Sequence, residues 1–233
     1  MFAHSISQVS GAMFPIIRIT QSAPNQVTLG ASGTGFFINS IGGFVTTAHI
    51  FDNPPANTKF IYPGLLPDQV INPQPEIQEI TRDNANDIYV GQIKRKTPKY
   101  LRLSAKLSPV GRTVCIGGYP MPVITVNPQG GFDLGQVRRY YQPSFILDRA
   151  TCNNVSQGIA RTHEGYFIRD MGLFGMSGGP VFDTSGTVIG MQGSVTNPRE
   201  SSNGTDKIVV RNAVVIRSDL ILRLLKSQGV KID

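Results

Sequence analysis

The chain has 233 residues, a formal net charge of +7 and two cysteines, Cys115 and Cys152. A chain of this length buries about 70–75% of the surface its unfolded form exposes, so its core needs no disulfide staple, and two cysteines do not make a small disulfide-built scaffold. No run approaches the roughly 18 apolar residues of a spanning helix, so a membrane-spanning protein is not expected.

Glycine (25) and proline (16) are plentiful and helical periodicity is scarce, which points to many short strands joined by turns. Residues 1–12 read as an arm. Ser5, Ser7, Gln8 and Ser10 interrupt any apolar segment there, so no signal peptide is read, and a soluble intracellular protein with reduced thiols is expected. Phe14-Pro15-Ile16-Ile17-Arg18-Ile19 reads as a first strand. Gly30, Gly33 and Gly35 then precede Phe36-Phe37-Ile38. Gly43-Phe44-Val45-Thr46-Thr47-Ala48-His49 reads as a strand with His49 just past its end.

Residues 52–77 are loop-rich in prolines, with a short strand at Lys59-Phe60-Ile61-Tyr62. Asp87 opens the apolar run Ile88-Tyr89-Val90. Its rivals as a buried carboxylate are Asp68 and Asp83, the latter in the polar turn Thr81-Arg82-Asp83-Asn84. Lys94, Arg95, Lys96, Lys99, Arg102 and Lys106 form a basic run. It reads as a solvated face, because no nucleic-acid module surrounds it and only Tyr100 offers a stacking ring. Residues 104–111 read as a linker, dividing the chain into 1–105 and 106–233.

The second half opens on the strand Arg112-Thr113-Val114-Cys115-Ile116-Gly117-Gly118, followed by a loop over 121–131. Further strands are expected at Gly135-Gln136-Val137-Arg138-Arg139-Tyr140-Tyr141, Gly165-Tyr166-Phe167-Ile168, 186–193 and 207–216. Ser218 is expected to cap a terminal helix over 219–226, with Asp219 at its positive end and Gly229 after its last turn.

Between these strands lies Gly175-Met176-Ser177-Gly178-Gly179-Pro180. It sets one hydroxyl among three glycines, a turn that can aim successive backbone N–H groups at one point. A serine needs a base to take its proton, and a histidine base works best when a carboxylate fixes its tautomer. His49, Asp87 and Ser177 stand in that order with these contexts, and so the chain resembles the trypsin-like (chymotrypsin-fold) serine peptidases over nearly its whole length.

The resemblance implies an all-β fold of two antiparallel six-stranded β-barrels with a C-terminal helix. Its site would lie between the barrels, with His49, Asp87 and Ser177 catalytic and the N–H groups of Gly175 and Ser177 forming the oxyanion hole. Met171 would floor the pocket for the residue before the cut. Phe174, Gly193, Ser194 and Val195 would contact substrate, 193–195 by pairing as an added strand. The implied activity is endopeptidase on protein or peptide, with no cofactor or metal and a preference for small or medium aliphatic residues.

Three departures stand out. Met176 replaces the aspartate that receives a newly clipped N-terminus, so no clipping switch is expected, and the pattern leans to HtrA-type and compact bacterial or viral relatives. Met171 excludes a preference for lysine or arginine. Gly193 stands where many relatives place a serine against the catalytic aspartate. Three alternatives remain: a silent or latent binding module on the same scaffold, a basic nucleic-acid binder, and a processing protease for one partner protein.

Overall fold

The structure is a computed structural model that describes residues 1–23, 26–54, 56–65, 75–97, 99–120, 125–126, 132–133, 137–156, 158–170, 172–195 and 212–233. Helix α1 (Ala3–Ser10) is followed by strands β1 (Met13–Ala23), β2 (Gln26–Phe37) and β3 (Gly43–Thr47), and by a 3-10 turn over Ala48–Phe51. Strands β4 (Thr58–Pro63), β5 (Gln78–Asp83) and β6 (Ile88–Gln92) complete the first sheet. The second half holds β7 (Thr113–Gly118), the short pair β8 (Thr125–Val126) and β9 (Phe132–Asp133), and β10 (Tyr140–Ser156) and β11 (Ile159–Ile168). It ends in β12 (Pro180–Phe182), β13 (Val188–Val195), β14 (Ala213–Arg217) and helix α2 (Ser218–Ser227).

Strands β1 to β6 form one antiparallel six-stranded sheet in the order β4-β1-β2-β3-β6-β5. The other six long strands close into a barrel in the order β10-β11-β14-β13-β12-β7. The all-β architecture with a terminal helix is therefore as expected. The described pairings close the second barrel and leave the first as a sheet edged by β4 and β5.

Successive side chains of a strand point to opposite faces, and here each face has its own core. In the first sheet Phe14, Phe37, Phe44 and Tyr89 pack one way with Ile50 and Leu65. Their neighbours Met13, Phe36, Val45, Ile88 and Val90 turn the other way. In the barrel Val114, Ile116, Val181, Ile189 and Val215 fill the interior, while Cys115, Phe182, Met191 and Ile216 turn outward. The outward residues of both halves share one cluster with Leu220, Ile221 and Leu225 of α2 and with Phe2 and Val9 of α1. Strands buried on both faces read as continuous apolar runs, which is why Gly43-Phe44-Val45 and Ile88-Tyr89-Val90 lack alternation.

Several local expectations differ. The first twelve residues carry a helix rather than an arm, because Phe2 and Val9 are buried against the shared core and Ser5 turns its hydroxyl onto the Phe2 carbonyl at 3.0 Å. Residues 81–83 belong to β5, and the turn follows them. The strand expected from Gly135 begins at Tyr140, and residues 134–136 lie outside the described ones. Ser218 is the first helical residue and does not cap: its hydroxyl donates to the Ser104 carbonyl at 2.6 Å, tying α2 to the crossover. Both cysteines are free thiols; burial pushes Cys115 up to about 12 and Cys152 up to about 11.

Candidate active site

Strand β3 delivers His49 into the 3-10 turn, and β6 delivers Asp87 from its N-terminal side. The pairing of Thr47 with Ile88 sets the two side by side. His49 Nδ1 donates to Asp87 Oδ2 at 2.7 Å, and the His49 N–H donates to Asp87 Oδ1 at 2.9 Å. Asp87 is 2% exposed and takes a φ of +57°. Such a conformation is uncommon for any residue but glycine, and aspartate and asparagine tolerate it best. The rival Asp83 accepts instead from the Asn86 N–H and side-chain amide, closing the turn ahead of Asp87. Asp68 lies outside the described residues.

Ser177 arrives on a turn that the first sheet and the barrel hold together. Thr34 of β2 donates its N–H to the Ser177 carbonyl at 2.7 Å and its hydroxyl to the Gly175 carbonyl at 2.8 Å. Gly33 brings that strand close, between the Ile50 side chain and the Ser177 carbonyl. Gly178 takes a φ of +83°, and a Cβ there would lie 2.0 Å from Thr46 Oγ1 and 2.2 Å from the Thr34 carbonyl, so no side chain fits. Gly175 takes a φ of +89°. Among the described residues, the N–H groups of Gly175 and Ser177 have no acceptor, whereas those of Met176, Gly178 and Gly179 are all bonded. Two free donors two residues apart on a tight turn can cradle an anion.

Met176 is fully buried in the barrel interior with Val114, Ile116 and Val181. Apolar packing therefore anchors the turn. The Ser177 hydroxyl donates to the Gly193 carbonyl at 3.4 Å, and among the described residues no hydrogen bond joins it to His49. Catalytic contacts in unliganded sites are often long and tighten on binding.

Around the turn, Phe174 is 85% exposed. Residues 193–195 continue β13 past the end of its pairing with β12 at Met191, and among the described residues no strand pairs with that edge of the stretch. Met171 lies outside the described residues. Gln192, which the sequence reading passed over, is 2% exposed and packs with Val195 against Gly172. Its Oε1 has no partner among the described residues, so a polar group stands beside Val195.

The structure also brings Arg161 of β11 to Asp87. Arg161 is 1% exposed. Its Nη2 pairs with Asp52 Oδ2. Its Nε lies 3.0 Å from Asp87 Oδ1, off the line of a directed hydrogen bond, so that contact is an ion pair. No sequence signal marks Arg161 or Thr34, since each acts through contacts far away in the chain. Among the described residues no group of three His, Cys, Asp or Glu side chains could hold a metal ion, and no helix is long and apolar enough to cross a membrane.

Residues 33–191 match the model of the trypsin-like peptidase domain. The chain belongs to the trypsin-like peptidase family. It is similar to the uncharacterized protein y4bJ of Sinorhizobium fredii (strain NBRC 101917 / NGR234), 25% identical over 213 residues, and spans 91% of its own length but 29% of that protein's. Among solved structures this trypsin-like peptidase is similar in fold to the active form of the Rv3671c protease of M. tuberculosis, with a TM-score of 0.67, 20% identity and coverage of 97% and 85% of the two chains. The inactive form of that protease gives 0.60, 19%, 97% and 93%. The HtrA-type protease AlgW with a decapeptide gives 0.67, 17%, 98% and 67%.

Proposed function

We propose that the chain is a serine endopeptidase working through Ser177, His49 and Asp87 by way of an acyl-enzyme. The observation that carries this reading is the His49–Asp87 hydrogen bond of 2.7 Å in a chain whose serine turn leaves the Gly175 and Ser177 N–H groups without an acceptor among the described residues. Ser177 Oγ attacks a peptide carbonyl while His49 Nε2 takes its proton. Asp87 holds His49 through Nδ1 and balances the imidazolium charge that forms. The oxyanion settles on the Gly175 and Ser177 N–H groups. His49 returns the proton to the departing amine, and water then repeats the cycle on the ester. Each oxyanion donor is worth about 3–4 kcal/mol of barrier, or roughly 100–1,000-fold in rate.

Substrate pairs as an extra strand along 193–195. An incoming peptide N–H claims the Gly193 carbonyl and frees the Ser177 hydroxyl, which bonds that carbonyl at rest, for His49. Phe174 offers an exposed apolar face beside the turn, and the preference is for small or medium side chains. Rapid cleavage after arginine in a peptide library would overturn that preference. Cutting of one dedicated partner protein is a narrower form of the same reading. The engaged resting hydroxyl of Ser177 favours a second reading, a protease latent until a ligand rearranges residues 193–195.

The test is labelling with a fluorophosphonate probe, wild type beside Ser177→Ala. Labelling of wild type alone is expected. Equal labelling of both proteins would sink the assignment of Ser177, and labelling of neither until a peptide is added would favour the latent form.

A further inference from the structure

The long hairpin of β10 and β11 belongs to the barrel, yet it reaches the first sheet. The Thr162 N–H donates to the Ala85 carbonyl at 3.1 Å, which docks β11 on the turn leading into Asp87. One residue before, Arg161 enters a nearly dry site between two carboxylates. Asp52 is 6% exposed and Asp87 is 2% exposed. Asp52 directly follows the 3-10 turn that carries His49, and its N–H reaches the His49 carbonyl at 3.4 Å. The guanidinium therefore touches both segments that hold the His49–Asp87 pair.

Asp87 has two oxygens to place. Oδ2 serves His49 Nδ1, while Oδ1 serves the His49 N–H and faces Arg161 Nε. The resemblance implies that many relatives place a serine hydroxyl against the catalytic aspartate from the segment that Gly193 occupies here. Among the described residues, no hydrogen bond runs from Gly193 or Ser194 to Asp87. The contact from the second half comes from Arg161 instead. A buried guanidinium on a single carboxylate would compete with His49 for its charge. Asp52 supplies a second carboxylate, so the Arg161 charge is balanced and that of Asp87 stays available. Arg82 faces Asp52 Oδ1 at 3.6 Å and also pairs with Glu79, and His163, buried on the same strand as Arg161, adds no charge while neutral.

Resting on the reading proposed above, we infer that Arg161 is a positioning residue of the triad: it fixes the Asp87 carboxylate from the barrel side and makes turnover depend on how the β10–β11 hairpin is seated. A carboxylate held on both oxygens cannot rotate away from His49. An undocked hairpin takes the Arg161 charge away from Oδ1, leaves that oxygen to the His49 N–H alone, and loosens the pair.

The experiment compares wild type with Arg161→Lys and with the charge-balanced double variant Arg161→Met/Asp52→Asn. Removing Arg161 alone leaves two buried carboxylates facing each other and risks unfolding. Three readouts are taken: urea melting, kcat and KM on a cleaved peptide, and the low-field proton NMR resonance of the His49 Nδ1–H, assigned with His49→Gln. The folded double variant is expected to lose about 10–100-fold in kcat with KM within about threefold, the scale of a small misplacement of a catalytic group. Its low-field resonance is expected to shift or broaden. Arg161→Lys keeps the charge but loses the fork, and is expected to fall between the two. Wild-type kcat with an unmoved resonance in either folded variant overturns the inference. The resonance does not require a reactive serine, so it still tests Arg161 if the probe fails to label wild type and the proposed activity falls.

Discussion

Thr34 Oγ1 donates to the Gly175 carbonyl at 2.8 Å and accepts the Tyr119 N–H at 3.1 Å. One hydroxyl of the first sheet thus fixes the peptide that opens the serine turn and the chain leaving β7. Thr34→Val keeps the shape and leaves a carbonyl and an N–H without their partner. A cost of about 1–3 kcal/mol is expected for such orphaned buried groups. The probe-labelling rate should fall with it, because the turn is then free to rotate. Thr34→Ser should retain both properties. Urea midpoints and labelling rates of the two variants check this.

Gly178→Ala should be far worse than an ordinary surface change. The new Cβ meets Thr46 Oγ1 and the Thr34 carbonyl at 2.0 and 2.2 Å, and the φ of +83° disfavours it independently. A loss of about 3 kcal/mol or more is expected, in the range of severe backbone and overpacking effects. A variant with an unchanged melting temperature and full labelling would show that the turn adopts another conformation in solution.

Met176 tests how the turn is anchored. Met176→Asp places a carboxylate among Val114, Ile116 and Val181, which offer it no cation. An unpaired buried charge costs about 3–5 kcal/mol. The expected outcome is loss of labelling together with a lower urea midpoint. Met176→Leu, close in volume, should cost under about 1.5 kcal/mol. Restored labelling of Met176→Asp by an added Ile-Val dipeptide would instead reveal a hidden clipping-type pocket.

His163 sets a pH dependence of stability. It is 4% exposed, neither ring nitrogen has a partner among the described residues, and burial lowers its pKa against the opposing pull of Asp87 and Glu164. Above about pH 6.5 the ring is neutral in folded and unfolded chains alike. Below that, the unfolded chain takes up a proton that the folded one resists, so stability falls as pH drops from about 6.5 towards the lowered folded value. His163→Phe should flatten the urea midpoint between about pH 7 and 5. An equally steep fall in that variant would assign the dependence to other groups.

The serine turn and the His49 strand could be read from the sequence because their requirements are local. A turn that exposes donors needs glycines within a few residues of the serine. A strand buried on both faces needs a continuous apolar run, as Phe44 and Val45 show. Contacts made between distant segments leave no such trace. Arg161 is one arginine among many in the chain, and only the docking of β11 on Ala85 brings it to Asp87. Helix α1 was hidden because serines dilute its apolar stripe, while its stability comes from Phe2 and Val9 packing on a core assembled from both halves. Ser218 has the right residue type for a cap, but tertiary contact with Ser104 took its hydroxyl.

The left-handed backbone of Asp87 has a consequence for what this position can become. A φ of +57° suits glycine, asparagine and aspartate, and the site also demands an anion to face His49 and Arg161. Glycine and asparagine meet the first demand alone. Glutamate meets the second but sits poorly in that conformation and carries its carboxylate one carbon too far. Backbone geometry and charge therefore intersect on a single amino acid, and no substitution at Asp87 keeps both while the turn over residues 84–87 holds its shape.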